Sequence, residues 1–135
     1  MISPFVKLTT VTGSLITLGF GVWHFFVPRV WHWYSSFDQN VPELVAAVRV
    51  INFFSSLYLV CFGVVSILFV YREPVDRFYL QVQLLLMALL WGLRVVMQLI
   101  SPQGMRSPFL RYGMLAAFAL AFGLFFVAYL GSVGK

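Results

Sequence analysis

Charged residues are scarce in this chain of 135 residues: Lys, Arg, Asp and Glu make up 10% of it, and four residues are acidic. So few charges cannot cover the surface of a domain dissolved in water. Apolar residues take their place, because 61% of the chain is hydrophobic and its mean hydropathy is +0.94. The composition therefore excludes a soluble globular domain and predicts an integral membrane protein.

Cysteine is almost absent, and the single thiol, Cys61, excludes an intrachain disulfide or a dithiol pair. Because Cys61 lies inside an apolar run, we expect a buried structural thiol. The sequence also lacks paired carboxylates, a Ser/His/Asp set and a Gly-rich phosphate loop, so we expect no enzymatic activity. The net charge of +5 comes without a continuous basic stripe, which argues against nucleic acid as a partner.

Long apolar runs are what the chain does contain, and about 20 apolar residues suffice for each membrane crossing. Four such runs fit the length, and they are predicted at residues 8–27, 43–71, 78–101 and 110–131. The expected fold is all-α, a single-domain integral membrane four-helix bundle with both termini on the same side. We expect it in the bacterial inner (cytoplasmic) membrane.

Each predicted span carries one narrow stripe of small or polar residues at helical spacing. The stripes consist of Thr10, Gly13, Ser14, Thr17, Gly21 and His24; Arg49, Asn52, Ser56 and Gly63; Gln83, Met87, Trp91, Arg94 and Gln98; and Gly113, Ala116, Ala117, Ala128 and Gly131. Small residues allow helices to approach closely in lipid, and polar side chains avoid hydrocarbon by facing one another. The four stripes should therefore face a common axis.

Two intramembrane arginines, Arg49 and Arg94, lie about two turns inside the same predicted membrane boundary. His24, Asn52 and Gln98 belong to the same end of the bundle, so we expect one shared polar cluster below a lid formed by residues 102–108.

Two interpretations of this cluster stay open. In the structural one, the arginines reach the headgroup layer and bind Glu43, helix-end carbonyls and lipid phosphates. In the functional one, Arg49, Arg94, His24, Asn52 and Gln98 form a pocket for a lipid headgroup or a quinone, with Trp23, Phe25 and Phe26 along its tail. No other cofactor is expected.

The stretch GVWHFFVPRVWHWYSSFDQNVPE holds three of the four tryptophans and both histidines. Trp31, Trp33 and Tyr34 are typical of interfacial anchors, and we expect them at headgroup depth on a short amphipathic segment along the membrane. His24 and His32 have no carboxylate or thiol beside them at ligand spacing, so no metal or haem site is predicted.

The motifs HFFVP, at residues 24–28, and PELVAAVRVIN, at residues 42–52, resemble the DoxX-like group of small four-helix membrane proteins. The likeness covers residues 19–63, and Val48, Arg49 and Asn52 stand where such families often carry a small residue, a glycine and then a glutamate. The resemblance implies a four-helix bundle that accompanies a larger membrane or respiratory assembly, and a quinone link in some relatives.

The expected function is that of a small non-catalytic accessory subunit, with membrane lipids and other membrane protein subunits as partners. The alternative is a lipid- or quinone-binding protein with a polar pocket at one membrane face. Transport is disfavoured, because the second and fourth spans become almost wholly apolar toward the terminal side.

Overall fold

The computed structural model of the protein describes residues 2–36, 41–72, 74, 76–104 and 107–134. Its helices are α1 (Pro4–Val30), α2 (Pro42–Tyr71), α3 (Arg77–Ile100) and α4 (Pro108–Val133), with a 3₁₀ turn at Trp33–Ser36 after α1. All four α-helices are long and apolar enough to cross a membrane. The predicted all-α four-helix membrane bundle is therefore confirmed.

Proline and a side-chain cap mark where the helices begin. Pro4, Pro42 and Pro108 open α1, α2 and α4, at positions where the missing backbone N–H has no partner in a helix anyway. At the start of α3, the Asp76 carboxylate accepts a hydrogen bond from the backbone N–H of Phe78 at 2.9 Å. These signals extend the helices beyond the apolar runs at their amino-terminal ends.

The helices form a ring in the order α2, α1, α4, α3: α1 packs against α2 and α4, and α3 packs against α4, whereas α2 and α3 contact each other only sparsely. At one end of the ring, Lys7 Nζ of α1 lies 5.7 Å from the ring centroid of Tyr71 of α2. At the same end, Gln81 Nε2 of α3 donates to the Ser132 carbonyl oxygen of α4 at 3.0 Å. Both termini therefore lie at one end of the bundle, as predicted.

The contact between α1 and α2 depends on glycines that leave no room for a side chain. A Cβ atom on Gly21 would lie 2.9 Å from Val60, and one on Gly63 would lie 2.7 Å from Leu18. Such glycines let two helix backbones approach closely in lipid. The small-residue stripe predicted on the first span is confirmed, because the structure buries Thr10, Gly13, Ser14, Thr17 and Gly21.

The stripe predicted on the fourth span is wrong in its first half. Gly113 and Ala116 are exposed, and the buried face of α4 consists of Phe118, Ala121, Phe125 and Ala128. The reason is complementary size: a Cβ atom on Gly13 of α1 would lie 3.0 Å from the Phe125 ring. A large side chain of α4 thus fills the space that a small residue of α1 leaves free.

Cys61 is also placed differently from the prediction, because it is exposed on the outer face of α2. Few residues of α2 are buried, and they are Ser56, Gly63, Ser66 and Val70. An apolar run in a membrane helix does not distinguish the face toward lipid from the face toward other helices, so the burial of the thiol did not follow from its neighbours.

Candidate functional site: a cavity between α2 and α3

A cavity of about 510 Å³ lies between α2 and α3, at the end of the bundle opposite the termini. The residues that line it are Phe20, His24, Trp33, Val48, Ile51, Asn52, Ser55, Tyr58, Leu59, Leu90, Trp91, Arg94, Gln103 and Phe118. Along α2 the lining extends from Val48 to Leu59, a distance of about 16 Å. Its size falls within the range of small-molecule sites, and its walls are mainly apolar.

Three aromatic rings close the inner end of the cavity. The ring centroids of Phe20, Trp91 and Phe118 lie 5.3 to 5.6 Å from one another. Trp91 Nε1 donates a hydrogen bond to Thr17 Oγ1 at 3.0 Å, which fixes the indole of α3 against α1. The inner end is therefore apolar and closely packed, because tilted ring pairs at these distances are favourable contacts.

Arg94 supplies a partly buried positive charge at the outer end of the cavity. Its Nη2 donates to Gln103 Oε1 at 2.6 Å, and its guanidinium lies 5.0 Å from the Phe118 ring centroid. Within the part of the chain that the structure describes, no carboxylate pairs with this guanidinium. A neutral amide and an aromatic face stabilise a cation only in part, so the site favours an additional anionic or carbonyl oxygen.

Gln98 shapes the connection between α3 and α4. Its Nε2 donates to the carbonyl oxygens of Gln103 and Arg111 at 3.0 and 3.2 Å, and its Oε1 accepts from the backbone N–H of Gln103 at 3.1 Å. The side chain of Gln98 is buried. Gln98, which the sequence predicts as a ligand contact, therefore binds the backbone of Gln103. The side chain of Gln103 in turn reaches Arg94.

The lid predicted over residues 102–108 can be described in part. Gln103 covers the outer end of the cavity together with Trp33 of the 3₁₀ turn. Met105 and Arg106 lie outside the described residues. Among the described residues of the two connections at this end of the bundle, one from each, Trp33 and Gln103, lines the cavity.

A proline inside α1 explains the contact between His24 and Asn52. Pro28 lacks the backbone N–H that would normally donate to the carbonyl oxygen of His24, four residues earlier. Asn52 Nδ2 of α2 donates to that carbonyl oxygen at 2.9 Å instead. The amide of Asn52 therefore completes the hydrogen bonding of α1, and both His24 and Asn52 line the cavity.

Arg49 lies apart from Arg94, in contrast to the expected shared cluster. Its side chain is exposed, and its guanidinium lies 4.7 Å from the ring centroid of Tyr34 in the 3₁₀ turn. Arg49 is not among the described residues that line the cavity. The inward orientation predicted for Arg49 is therefore wrong, because its long side chain reaches out to an aromatic face at the helix end. Glu43 is exposed in the first turn of α2.

Trp33, one of the two tryptophans predicted as anchors, lines the cavity. Trp31 and Trp33 are partly buried, with ring centroids 6.3 Å apart. Their depth in a bilayer, and that of Tyr34, stays a prediction. His32 is exposed and adopts a left-handed φ of 53°, between the end of α1 and the 3₁₀ turn. Among the described residues, no group of three His, Cys, Asp or Glu side chains could hold a metal ion.

A second cavity, of about 300 Å³, lies between α1 and α4 at the same end of the bundle. It is lined by Phe20, Trp23, His24, Val27, Trp31, Trp33, Gln103, Phe109, Leu110, Gly113, Met114 and Ala117. Four of these residues, Phe20, His24, Trp33 and Gln103, also line the cavity between α2 and α3. The two cavities are thus separated by one shared wall.

Gln103 is a site residue that sequence reasoning did not name, although its connection was predicted as the lid. It lies in a connection without helical periodicity, so no stripe could indicate it. The sequence feature that could have indicated it is its position five residues after Gln98, which places it close to the buried end of α3.

The lining of the larger cavity offers a guanidinium, an imidazole, hydroxyls and amides beside apolar walls, and its described residues include no carboxylate and no thiol. Such groups can bind oxygen atoms and exclude water from the rest of a ligand. Comparisons of the chain with protein-family models, curated proteins and solved structures find no match.

Proposed function

We propose that this protein is a non-catalytic membrane protein that binds an amphiphile, such as a lipid or a quinone, in the cavity between α2 and α3. The observation that carries the proposal is Arg94, a partly buried cation without a described carboxylate partner at the polar end of an apolar cavity. An anionic or carbonyl oxygen of the ligand would accept hydrogen bonds from the guanidinium, because charge-assisted bonds of this kind are the strong ones.

The sparse contact between α2 and α3 gives such a ligand its route of entry. Gln83 Nε2 of α3 donates to Ser66 Oγ of α2 at 2.9 Å near the terminal end, where the two helices meet. Toward the other end the cavity separates them, with Tyr58 of α2 and Leu90 of α3 on its two sides. A ligand can therefore enter laterally from the bilayer while its polar end stays near Arg94.

Arg94→Gln tests this proposal. Wild-type protein purified in mild detergent should retain an amphiphile, detected by solvent extraction and mass spectrometry. The amount of amphiphile that the variant retains should be at least about tenfold lower, since a hydrogen bond to a charged group contributes about 1.5–3 kcal/mol. The matched control is Arg111→Gln, which removes an exposed guanidinium that lies over the Tyr112 ring, outside the cavity.

Retention by the control but not by Arg94→Gln would support the proposal. Equal retention by both variants, or no stoichiometric amphiphile in the wild-type protein, would contradict it.

A second candidate function is the accessory subunit, and the outer face of α2 favours it. Phe53 and Phe54 are exposed there with ring centroids 5.6 Å apart, and the Phe54 ring lies 6.3 Å from that of Tyr58 at the edge of the cavity. A helix of a partner membrane protein could pack on this aromatic face. The resemblance of residues 19–63 to the DoxX-like group supports that role and a respiratory partner, and the proposed location is the bacterial inner membrane.

The two functions differ in what accompanies the purified protein. An accessory subunit should co-purify with a partner at fixed stoichiometry in mild detergent, and Phe54→Ala should release the partner without removing a bound amphiphile. A protein that elutes alone and carries an amphiphile would contradict the accessory role and leave the binding function.

A further inference from the structure

The second cavity, between α1 and α4, differs from the first in its chemistry. Apart from His24 and Gln103, which line both cavities, its lining residues are aromatic or aliphatic residues and one glycine. None of its described lining residues is charged. It therefore offers no charge to a polar head, and its mainly apolar wall suits an apolar chain.

The two cavities lie on opposite sides of the ring of helices. Because the order is α2, α1, α4, α3, the contact between α1 and α4 lies opposite the contact between α2 and α3. The cavities therefore open toward lipid on opposite sides of the bundle. Between them lies the shared wall, which includes Gln103, the hydrogen-bond partner of Arg94.

We infer that the ligand is a two-chain anionic lipid, whose head lies at Arg94 and Gln103 and whose chains occupy one cavity each. This inference rests on the proposed binding function and specifies its ligand. A single-chain amphiphile would fill the cavity beside Arg94 and leave the one between α1 and α4 unused. A lipid with two chains that diverge from one head uses both cavities and the polar wall between them.

Gly113 offers a way to fill the second cavity without disturbing the helix packing. It lines that cavity, and a Cβ atom added to it would have no neighbouring atom within 4 Å. Gly113→Phe should therefore fold normally and occupy the space of one chain. Ala117→Phe fills the same cavity from the next turn of α4 and serves as a second variant.

Gly123 provides the matched control on the same helix. A Cβ atom at Gly123 also has no neighbour within 4 Å, and Gly123 lines neither of the two cavities. Gly123→Phe thus adds the same ring to α4 at a distance of about 15 Å along the helix. Any general effect of a new phenylalanine on α4 will be seen in this variant.

The experiment compares two probes with the same head, diacyl phosphatidylglycerol and its single-chain lyso form, by native mass spectrometry of the delipidated protein. Wild-type protein should bind the diacyl form at least about tenfold more tightly, a difference of about 1.4 kcal/mol. Gly113→Phe and Ala117→Phe should lower the affinity for the diacyl form to that of the lyso form and leave the lyso affinity unchanged. Gly123→Phe should change neither.

Equal affinity of the wild-type protein for the two probes, or an equal loss of both in Gly113→Phe and Ala117→Phe, would overturn the two-chain ligand. In those cases binding that still depends on Arg94 would leave the proposed function in place. If neither probe binds and no quinone is extracted, the proposed function itself fails.

Discussion

Helix α2 contacts its two neighbours in opposite ways. Toward α1 its backbone approaches so closely that a Cβ atom on Gly63 would lie 3.1 Å from the Ser14 carbonyl oxygen. Toward α3 the contact is held near the terminal end by Gln83 and Ser66, and a cavity of about 510 Å³ separates the helices at the other end. We name these two contacts the α1–α2 interface and the α2–α3 interface.

The difference shows how residue size decides where a small membrane bundle closes. Glycines on both helices close the α1–α2 interface, because backbones in lipid gain from close packing. At the α2–α3 interface, large side chains such as Tyr58 and Leu90 face the cavity from the two sides. One helix can therefore combine a permanent contact with a face that is free to bind a ligand.

Gly63→Leu should have the largest effect, because it overfills the α1–α2 interface. A side chain there collides with Leu18 and with the backbone of Ser14. We expect the free energy of unfolding in detergent to fall by about 3 kcal/mol, the upper end of the range for an overfilled contact. Gly19→Leu is the control, since a Cβ atom at Gly19 has no neighbour within 4 Å. Similar unfolding midpoints for both variants would show that the interface is not closely packed.

Asn52→Leu should come next, because it leaves the carbonyl oxygen of His24 without a donor. We expect a loss of about 1–3 kcal/mol in the free energy of unfolding. Pro28→Ala restores a backbone N–H at the normal position, so the double variant Pro28→Ala/Asn52→Leu should recover most of that loss. A double-mutant cycle in which the two effects simply add would contradict this coupling.

Trp91→Phe tests the inner end of the cavity, where α3 is fixed to α1. The substitution keeps an aromatic ring but removes the hydrogen bond to Thr17 Oγ1. Hydrogen bonds between membrane helices contribute about 0.6–1.7 kcal/mol, and we expect a loss in this range. In the background of Thr17→Val, the same substitution should cost less. An unchanged cost in that background would indicate that the bond contributes nothing to stability.

Ser55→Leu should have the smallest effect, and it completes the comparison on α2. Ser55 is exposed and lines the cavity, so a larger side chain meets no packed neighbour across the α2–α3 interface. We expect the free energy of unfolding to change by no more than about 0.5 kcal/mol. A loss as large as that of Gly63→Leu would mean that the cavity is closed in the membrane.

Much of the bundle could be predicted from the sequence where the buried residues are small or polar. Gln83, Met87, Trp91 and Gln98 of α3 are buried as the helical spacing indicates, and Arg94 is partly buried. On α4 the same reasoning failed in the first half of the helix, whereas Ala128 in the second half is buried as predicted. The buried positions there include phenylalanines that fill the space beside small residues of α1, and composition alone does not distinguish such rings from those that face lipid.

The candidate site could be predicted only in outline. Helical spacing placed Arg94, His24 and Asn52 at one end of the bundle, and the structure brings all three to one cavity. Helical spacing could not indicate Gln103, which lies in a connection. It also could not show that Arg49 lies outside the cavity lining. The position of a long side chain depends on its neighbours, and for Arg49 that neighbour is the Tyr34 ring of the 3₁₀ turn.

Pro28 has a consequence for how the protein enters its membrane. During synthesis α1 is complete before α2 exists, and until Asn52 arrives the carbonyl oxygen of His24 has neither its helical donor nor its amide partner. An unsatisfied backbone group in hydrocarbon costs several kcal/mol. We therefore expect α1 to remain in contact with water or the insertion machinery until α2 joins it, so that the two helices enter the bilayer together as a hairpin.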